Sequence, residues 1–352
     1  MKRKISLALV IVLTICLFAG CGPSTVESNQ PANNPAAPAN TPANPSAPTQ
    51  PGNSEAEKVK IMLIAKNLAD PFCAWMFTMA QKHLDEDYPD VEYKLIDQRQ
   101  DAANMDAAFD QALIEGFNSF VFHSVSGSLN TSDLMKRLQA EGLVGAHINN
   151  DPSDGISSVS CAPEYAMGSM IGSVAAEMLP EGAKVVILMS TPSNYASEQR
   201  RLGYEDALFK ARPDVVILDQ KNCEAWSKDI AIKTTEDWCQ RFPEIDAVIS
   251  VNDGMALGAL EALKSDGRDL SKIQFFGIDG LADGCLSIEK GEMTASVLQD
   301  GTDMAYAAVD LAIGIAKGEI TEPQKHDVVP IIINQDNVAE MIQMHKDNGL
   351  LK

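Results

Sequence analysis

From residue 58 to the end of the chain, short apolar segments rich in β-branched residues alternate with amphipathic segments of helical length. This alternation predicts βαβ units, in which helices cover both faces of a parallel sheet. The alternation comes in two series, and a chain of 352 residues is too long for one ordinary domain but sufficient for two. The sequence therefore predicts an α/β fold with two doubly wound parallel-sheet lobes.

Strands and helices can be placed within both series. The first series predicts strands at residues 59–65, 91–97, 119–125 and 143–149 and helices at 71–87, 102–115 and 129–140. The second series predicts strands at residues 184–190, 214–218, 247–251 and 274–278 and helices at 163–179, 197–210, 227–241, 255–265 and 282–289. Parallel strands need crossover connections of this kind.

The first twenty residues predict an export signal. Three basic residues at positions 2–4 precede an apolar run over residues 5–18, which is too short to span the roughly 30 Å of a bilayer core. The run ends in small residues directly before Cys21 and resembles a bacterial lipobox, so Cys21 is the predicted lipid-attachment residue. An ordinary signal peptide cleaved near Ala19 is the alternative.

Residues 21–57 predict a disordered tether between the lipid anchor and the folded part of the chain. The segment consists mainly of proline, alanine, asparagine, serine and threonine, with prolines three or four residues apart. Such a composition lacks the apolar residues that would offset the entropy of ordering, and its prolines favour an extended conformation.

Charge and motif content exclude several classes of protein. The chain carries 28 basic and 49 acidic residues, a net charge of −21, and this charge repels the phosphates of nucleic acids. The sequence lacks dinucleotide-binding, P-loop, zinc-protease and nucleophile-elbow motifs. Neither the histidines nor the five cysteines after the tether have the spacing of a metal site. We therefore expect neither an enzyme nor a metal or other cofactor.

Polar and aromatic residues follow the predicted strands, where ligands bind in an open parallel sheet. These strand ends carry carboxylates, amides and a ring, and two helix beginnings add a guanidinium and an indole. The candidate binding residues are Asp70, Phe72, Asn149, Arg200, Trp226, Asn252, Asp279 and Gln299. Planar polar groups pair with neighbouring hydroxyls, and aromatic faces cover C–H patches. The set predicts a neutral polyol as the ligand.

Each candidate also has a purely structural interpretation. Phe72 follows a proline at a helix start and fits a hydrophobic staple, Trp226 fits a core position, and Arg200 fits a solvated helix face. The amides and carboxylates fit turns or helix caps. In particular, we expect Asp253 to cap the helix that begins at Gly254. For the two aromatic residues the binding interpretation is favoured.

Three segments carry a resemblance to a known family: VNDGMALGAL at residues 251–260, FGIDG at 276–280 and SVLQD at 296–300. From residue 58 onward the chain resembles the type I periplasmic binding proteins that supply ABC sugar importers. The galactose/glucose and ribose members are the most similar, and the run Asn149-Asn150-Asp151-Pro152 favours the galactose/glucose branch. The resemblance implies two lobes joined by a hinge that close on one monosaccharide.

The resemblance also implies a domain organisation in which the chain crosses three times between the lobes. The N-lobe is expected to comprise residues 58–160 and 301–327, and the C-lobe residues 161–300 and 328–352. We expect an extracytoplasmic monomer that binds a monosaccharide and delivers it to the permease and ATPase subunits of an ABC importer. Its membrane contact would be the lipid anchor, and it would bind no nucleic acid.

By the same resemblance, Phe72 and Trp226 stack on the sugar ring, and the other six candidates hydrogen-bond to it. Cys73 stands where ribose binders have a second aromatic residue, and Asn150 stands where they use an arginine. Asn194 stands where the galactose/glucose branch has a histidine. An aldohexose such as galactose or glucose is the expected ligand, and a pentose is the alternative. A sensory module that presents the sugar to a chemoreceptor or sensor kinase is the alternative function.

Overall fold

The computed structural model describes residues 58–125, 132–192 and 194–352. The predicted signal segment, the predicted tether and the predicted lipid-attachment residue Cys21 lie outside the described residues. Within the described residues, no helix combines the length and the apolar character needed to cross a membrane.

The described residues form twelve strands and ten α-helices. The strands are β1 (Lys60–Ala65), β2 (Glu92–Asp97), β3 (Ser119–Phe122), β4 (Val144–Ile148), β5 (Ser158–Cys161), β6 (Lys184–Met189), β7 (Val216–Asn222), β8 (Ala247–Ser250), β9 (Gln274–Phe276), β10 (Ser296–Leu298), β11 (Lys325–Asp327) and β12 (Ile331–Ile333). The helices are α1 (Pro71–Asp87), α2 (Ala103–Ile114), α3 (Ser132–Ala140), α4 (Glu164–Met178), α5 (Tyr195–Tyr204), α6 (Lys228–Arg241), α7 (Asp253–Ser265), α8 (Ala282–Glu289), α9 (Gly301–Ala316) and α10 (Val338–Asp347).

Two parallel sheets organise these elements. The first has six strands in the order β11-β5-β4-β3-β1-β2, and the second has four in the order β7-β6-β8-β9. Strands β10 and β12 pair with each other in antiparallel fashion. The two parallel sheets confirm the predicted pair of α/β lobes. We call the lobe built on the first sheet the N-lobe and the lobe built on the second sheet the C-lobe.

The chain leaves the N-lobe sheet twice. It leaves the N-lobe sheet after β5, returns through α9 to β11, and leaves again toward β12. Helix α9 packs on α1 and on strands β3 to β5, whereas α10 packs on α8. The lobe boundaries given above stay a prediction.

The N-lobe sheet is buried on both faces. Along β1, Ile61, Leu63 and Ala65 belong to one apolar cluster, and Met62 and Ile64 belong to another. Successive side chains of a strand point to opposite faces of the sheet, and all five are fully buried. The continuous apolar run of β1 therefore reflects helices on both faces, as parallel sheets require.

Most elements lie where the pattern predicts them, and α1 and α8 have the predicted bounds. Strand β7 begins and ends later than predicted, at Val216–Asn222. The helix predicted at 197–210 is α5 followed by a π-helical turn at Glu205–Phe209. The pattern does not predict β5, β10, β11 and β12.

Candidate ligand-binding cleft

One cleft between the two lobes brings together the candidate residues from both sheets. Its empty volume is about 410 Å³, which includes space open to solvent. All eight candidates line it: Asp70, Phe72, Asn149, Arg200, Trp226, Asn252, Asp279 and Gln299. Lys66, His123 and Ser124 also line the cleft, although the sequence analysis did not select them.

The N-lobe wall begins with Asp70, which also has a structural role. One carboxylate oxygen, Oδ1, accepts the backbone N–H groups of Phe72 at 3.0 Å and Cys73 at 3.5 Å, so Asp70 caps α1. The other oxygen accepts a hydrogen bond from Lys66 Nζ at 3.0 Å. The cap and the ion pair hold the carboxylate in a fixed position at the edge of the cleft.

Lys66 is the main residue that the sequence analysis missed on this wall. It follows β1 directly and is only 7% exposed. Burial acts to lower the pKa of Lys66, but the charge of Asp70 and the hydrogen bond to it outweigh burial and raise that pKa above its usual value. The ammonium therefore stays charged, and an ammonium has three donors, more than Asp70 can satisfy. A lysine four residues before a candidate carboxylate, at the end of an apolar strand, was the available signal.

His123 and Asn149 also line the cleft on the N-lobe side. Asn149 has a positive φ of 67°, and its Nδ2 lies 3.4 Å from His123 Nε2. Burial, with the nearby charge of Lys66, lowers the pKa of His123 well below its usual value, so this imidazole is neutral. Behind it, burial lowers the pKa of His147 to about 4. The wall is thus polar but carries no charge at these positions.

Arg200 organises the C-lobe wall and is only 2% exposed. Its Nε donates to Glu164 Oε2 at 2.6 Å, and its Nη1 donates to the Val251 carbonyl at 2.7 Å and to Asp279 Oδ1 at 3.2 Å. Gln299 Nε2 donates to the same Asp279 oxygen at 2.6 Å. The solvated-face interpretation of Arg200 is therefore wrong. Its charge and that of Asp279 are paired within the protein, through a partner, Glu164, that the sequence analysis did not identify.

Two glycines explain how Arg200 reaches Glu164. A Cβ atom on Gly168 of α4 would lie 2.0 Å from the Arg200 carbonyl oxygen, and one on Gly203 would lie 2.3 Å from the Tyr165 carbonyl oxygen. The two helices can therefore approach this closely only with glycine at both positions. Glu164 lies one turn before Gly168 on α4, so the close approach places its carboxylate beside the guanidinium.

Burial and neighbouring charges shift the pKa values of Asp279 and Arg200 on the C-lobe wall. Burial raises the pKa of Asp279 well above its usual value, and the charges of Asp253 and Asp70 add to this, whereas Arg200 opposes it. The pKa of Arg200 is itself raised, because Glu164 and Asp279 outweigh the effect of burial. Asp279 also has a positive φ of 136°, a backbone conformation that favours glycine.

The two aromatic candidates come from different lobes, Phe72 after β1 and Trp226 after β7. Phe72 is 4% exposed and contacts Trp75 edge to face. Trp226 is half-buried and ends a turn in which both Ala225 and Trp226 have positive φ values, 56° and 62°. The Trp226 ring centre lies 5.3 Å from Arg200 Cζ and 5.8 Å from Lys66 Nζ, distances typical of cation–π contacts. Their stacking on a ligand stays a prediction.

Helix α7 corrects one prediction. Its cap is Asn252, whose Oδ1 accepts the Met255 N–H at 3.0 Å, rather than the predicted Asp253. Asp253 is the first residue of the helix, and its carboxylate points away from the cap, toward Leu281 and Ser296. Asn252 thus caps the helix and also lines the cleft. Helix α9 is capped by Asp300, the second residue of the Gln299-Asp300 pair, and not by Gln299.

Several buried polar atoms around the cleft have no hydrogen-bond partner within the described residues. They are Asn149 Oδ1, His123 Nδ1, Ser124 Oγ and Gln299 Oε1. A buried polar atom without a partner costs about 1–3 kcal/mol. Because these atoms come from both lobes and surround one cavity, a bound ligand or water that both donates and accepts hydrogen bonds would satisfy them together.

Comparisons with known proteins agree with this architecture. The family model described as "periplasmic binding protein domain" matches residues 61–320. A putative rhizopine-binding protein of Rhizobium meliloti is 25% identical over 261 residues, which cover 71% of this chain and 82% of that protein. A ribose import binding protein of Bacillus subtilis is 25% identical over 322 residues, which cover 91% and 95% of the two chains.

A solved structure shows the same fold. An ABC transporter solute-binding protein from Bacillus halodurans, crystallised with myo-inositol, superposes with a TM-score of 0.73 at 20% identity, covering 82% of this chain and 99% of that one. The family match covers well over half of the residues. The chain therefore belongs to the family of periplasmic binding protein domains, and its two parallel-sheet lobes are those of the type I members.

Proposed function

We propose that this protein captures a monosaccharide outside the cytoplasm and delivers it to an ABC importer. An aldohexose such as galactose or glucose is the first candidate ligand, and a pentose is the second. The observation that carries the proposal is the set of buried, unpartnered polar atoms that both lobes present to one cleft. Hydroxyl groups donate and accept at once, so a polyol can satisfy donors such as Lys66 Nζ together with acceptors such as Gln299 Oε1.

The charges of the cleft support a neutral ligand. Lys66 is paired with Asp70, and Arg200 is paired with Glu164 and Asp279. A ligand with its own charge would have to be desolvated without a free counter-charge, which is costly. A neutral polyol instead receives charge-assisted hydrogen bonds from groups whose charges are already compensated.

Relatives are consistent with a sugar or cyclic polyol. One is named a ribose import binding protein, and a structure of the same fold contains myo-inositol. Because the ligand groups here are divided between the N-lobe and the C-lobe, a conformation that brings the lobes together binds best. Ligand binding would therefore favour a closed state through hinge motion.

A sugar panel tests the proposal. The purified protein would be titrated calorimetrically with galactose, glucose, ribose, xylose and myo-inositol, and each mixture would be checked by mass spectrometry after long incubation. We expect saturable binding of at least one sugar without any product. Conversion of the sugar would indicate an enzyme, and no binding across the panel would contradict the proposal.

We further propose that the protein is anchored through lipid on Cys21. Cys21→Ala should move the protein from the membrane fraction to the soluble fraction of a lipoprotein-processing bacterial host. Cys16→Ala, which changes another cysteine of the same N-terminal segment, should leave the protein in the membrane fraction. Retention of the Cys21→Ala protein in the membrane would show that another feature anchors it.

A further inference from the structure

Asp253 is a fully buried carboxylate that lies behind the cleft rather than in it. It is the first residue of α7 and directly follows the cleft residue Asn252. Within the described residues no lysine, arginine or histidine forms an ion pair with it. Burying such a group is costly without specific partners, so the groups that it contacts indicate its role.

Those contacts converge on the segments that carry the C-lobe part of the site. The carboxylate accepts the Leu281 N–H at 2.9 Å and the Ser296 hydroxyl at 2.6 Å, and the Asp253 N–H donates to the Ile278 carbonyl at 2.7 Å. Ile278 and Leu281 flank the turn that contains Asp279. Ser296 begins β10, and the cleft residue Gln299 directly follows this strand.

Ser296 strengthens the same connection. Its Oγ accepts the Gly280 N–H at 3.3 Å while its hydroxyl donates to Asp253. The Asp279 N–H in turn donates to the Val297 carbonyl at 2.9 Å. The turn at 278–281 and strand β10 are therefore joined to each other and to α7 through one carboxylate.

The packing is shaped around this carboxylate. A Cβ atom on Gly277 would lie 2.2 Å from Asp253 Oδ1, and one on Gly284 would lie 2.8 Å from Oδ2. Both positions therefore have no room for any side chain while the carboxylate keeps its place. These two glycines, one before the turn and one after it, leave room for the Asp253 carboxylate.

We propose that Asp253 is a positioning residue of the ligand site, which sets the places of Asp279 and Gln299 relative to Asn252. The inference rests on the proposed function, because it assigns a role to Asp253 in that same site. Arg200, Asp279 and Cys285 are the titratable groups that interact with Asp253 electrostatically. Its negative charge helps to raise the pKa of Asp279.

The first test compares Asp253→Asn and Asp253→Ala with Asp283→Asn, an exposed acidic residue in the first turn of the next helix. Affinity for the best sugar of the panel would be measured from pH 5 to 9. Asp253→Ala loses both side-chain hydrogen bonds and should weaken binding by about 10- to 100-fold. Asp253→Asn keeps the shape and removes the charge, so the pH profile of binding should move to lower pH. Asp283→Asn should bind like the parent.

A merely structural role predicts a different result. The melting temperature would fall, while affinity and pH profile in the folded protein would match the parent, and that outcome would overturn the proposal. If both Asp253 variants fail to fold, Ser296→Ala removes one of the two side-chain contacts. It should weaken binding, and unchanged affinity there would equally overturn the proposal.

A ligand-free measurement separates this inference from the proposed function. Hydrogen exchange followed by mass spectrometry would report on peptides covering residues 277–300. Exchange should increase in these peptides for Asp253→Asn and Asp253→Ala and stay at the parent level for Asp283→Asn. If the parent binds no sugar but this increase occurs, only the proposed function fails. If exchange is unchanged, the positioning role fails whatever the ligand is.

Discussion

The two walls of the cleft differ in how their buried polar and charged groups are paired. The N-lobe wall carries one Lys66–Asp70 pair and neutral buried imidazoles. The C-lobe wall carries the Arg200 guanidinium between two carboxylates, with Asp253 buried behind it. Both walls contribute hydrogen-bonding groups to one cleft. Only the C-lobe wall concentrates buried negative charge around a single cation.

This difference predicts opposite responses to pH. A buried neutral histidine has a lowered pKa, so its contribution to stability is lost as pH falls. A buried carboxyl with a raised pKa makes the fold less stable as pH rises. The two lobes of one protein therefore have opposite pH requirements near their shared site, and substitutions can separate them.

The largest expected effect is that of Arg200→Ala. Removal of the guanidinium leaves Glu164 and Asp279 buried and unpaired, which should lower the free energy of unfolding by about 3–5 kcal/mol and abolish tight sugar binding. Arg201→Ala on the same helix is the matched control, because Arg201 pairs with partly exposed Glu198 and Glu205 and should cost about 1 kcal/mol or less.

Chemical unfolding without ligand and calorimetry with sugar measure the two effects separately. Arg200→Ala protein that keeps parental stability would show that the ion-pair network is not what holds the C-lobe wall. In that case the buried ion pairs of the C-lobe wall would contribute little to the free energy of unfolding, and the two walls would differ less in this respect than their contacts suggest.

The pH comparison gives the next effect. The pKa of His147 is lowered from about 6.5 to about 4, so the unfolded chain binds more protons than the fold between these values. The contribution of neutral His147 to the free energy of unfolding is fully present above about pH 6.5. It is lost as the pH falls through 4, in total by about 3 kcal/mol. In His147→Gln this loss should disappear, and unfolding at pH 7 and 4.5 measures it.

Asp253→Asn is the contrasting variant. Burial raises the pKa of Asp253 from its usual 3.8 to about 6, so the fold binds more protons than the unfolded chain in this window. The parent should therefore lose stability relative to Asp253→Asn as pH rises from about 4 to 6. Shifts of the same sign for the His147 and Asp253 variants would contradict the proposed difference between the walls.

Trp226→Ala has the smallest expected effect. Loss of the indole should weaken sugar affinity by about 1–3 kcal/mol, and apo stability should change little because the ring is half-buried. Trp226→Phe should recover part of the affinity by keeping an aromatic face. Intrinsic fluorescence of the parent should change on binding. Normal affinity in Trp226→Ala would place ligand recognition on the polar walls alone.

The sequence predicted the general location of the site for a simple physical reason. The carboxyl ends of parallel strands meet at one edge of a sheet, so polar residues that follow apolar segments gather there. Asn149, Asn252 and Asp279 are found at the cleft for this reason. The same reasoning could not place β11 in the N-lobe sheet, because this three-residue strand joins the sheet by pairing with β5, which lies far earlier in the chain.

The two α/β lobes and the edge at which their polar residues collect could be predicted from the sequence, because strand and helix periods and strand ends are local properties. The pairing of charges could not be predicted in this way. Arg200 meets Glu164, 36 residues away, and Asp279, 79 residues away, through helices that glycines allow to approach. From its sequence position Asp253 was expected to cap a helix, but its contacts join α7, the turn at 278–281 and β10. Hydrogen bonds and burial depend on distances between such segments, which no local pattern contains.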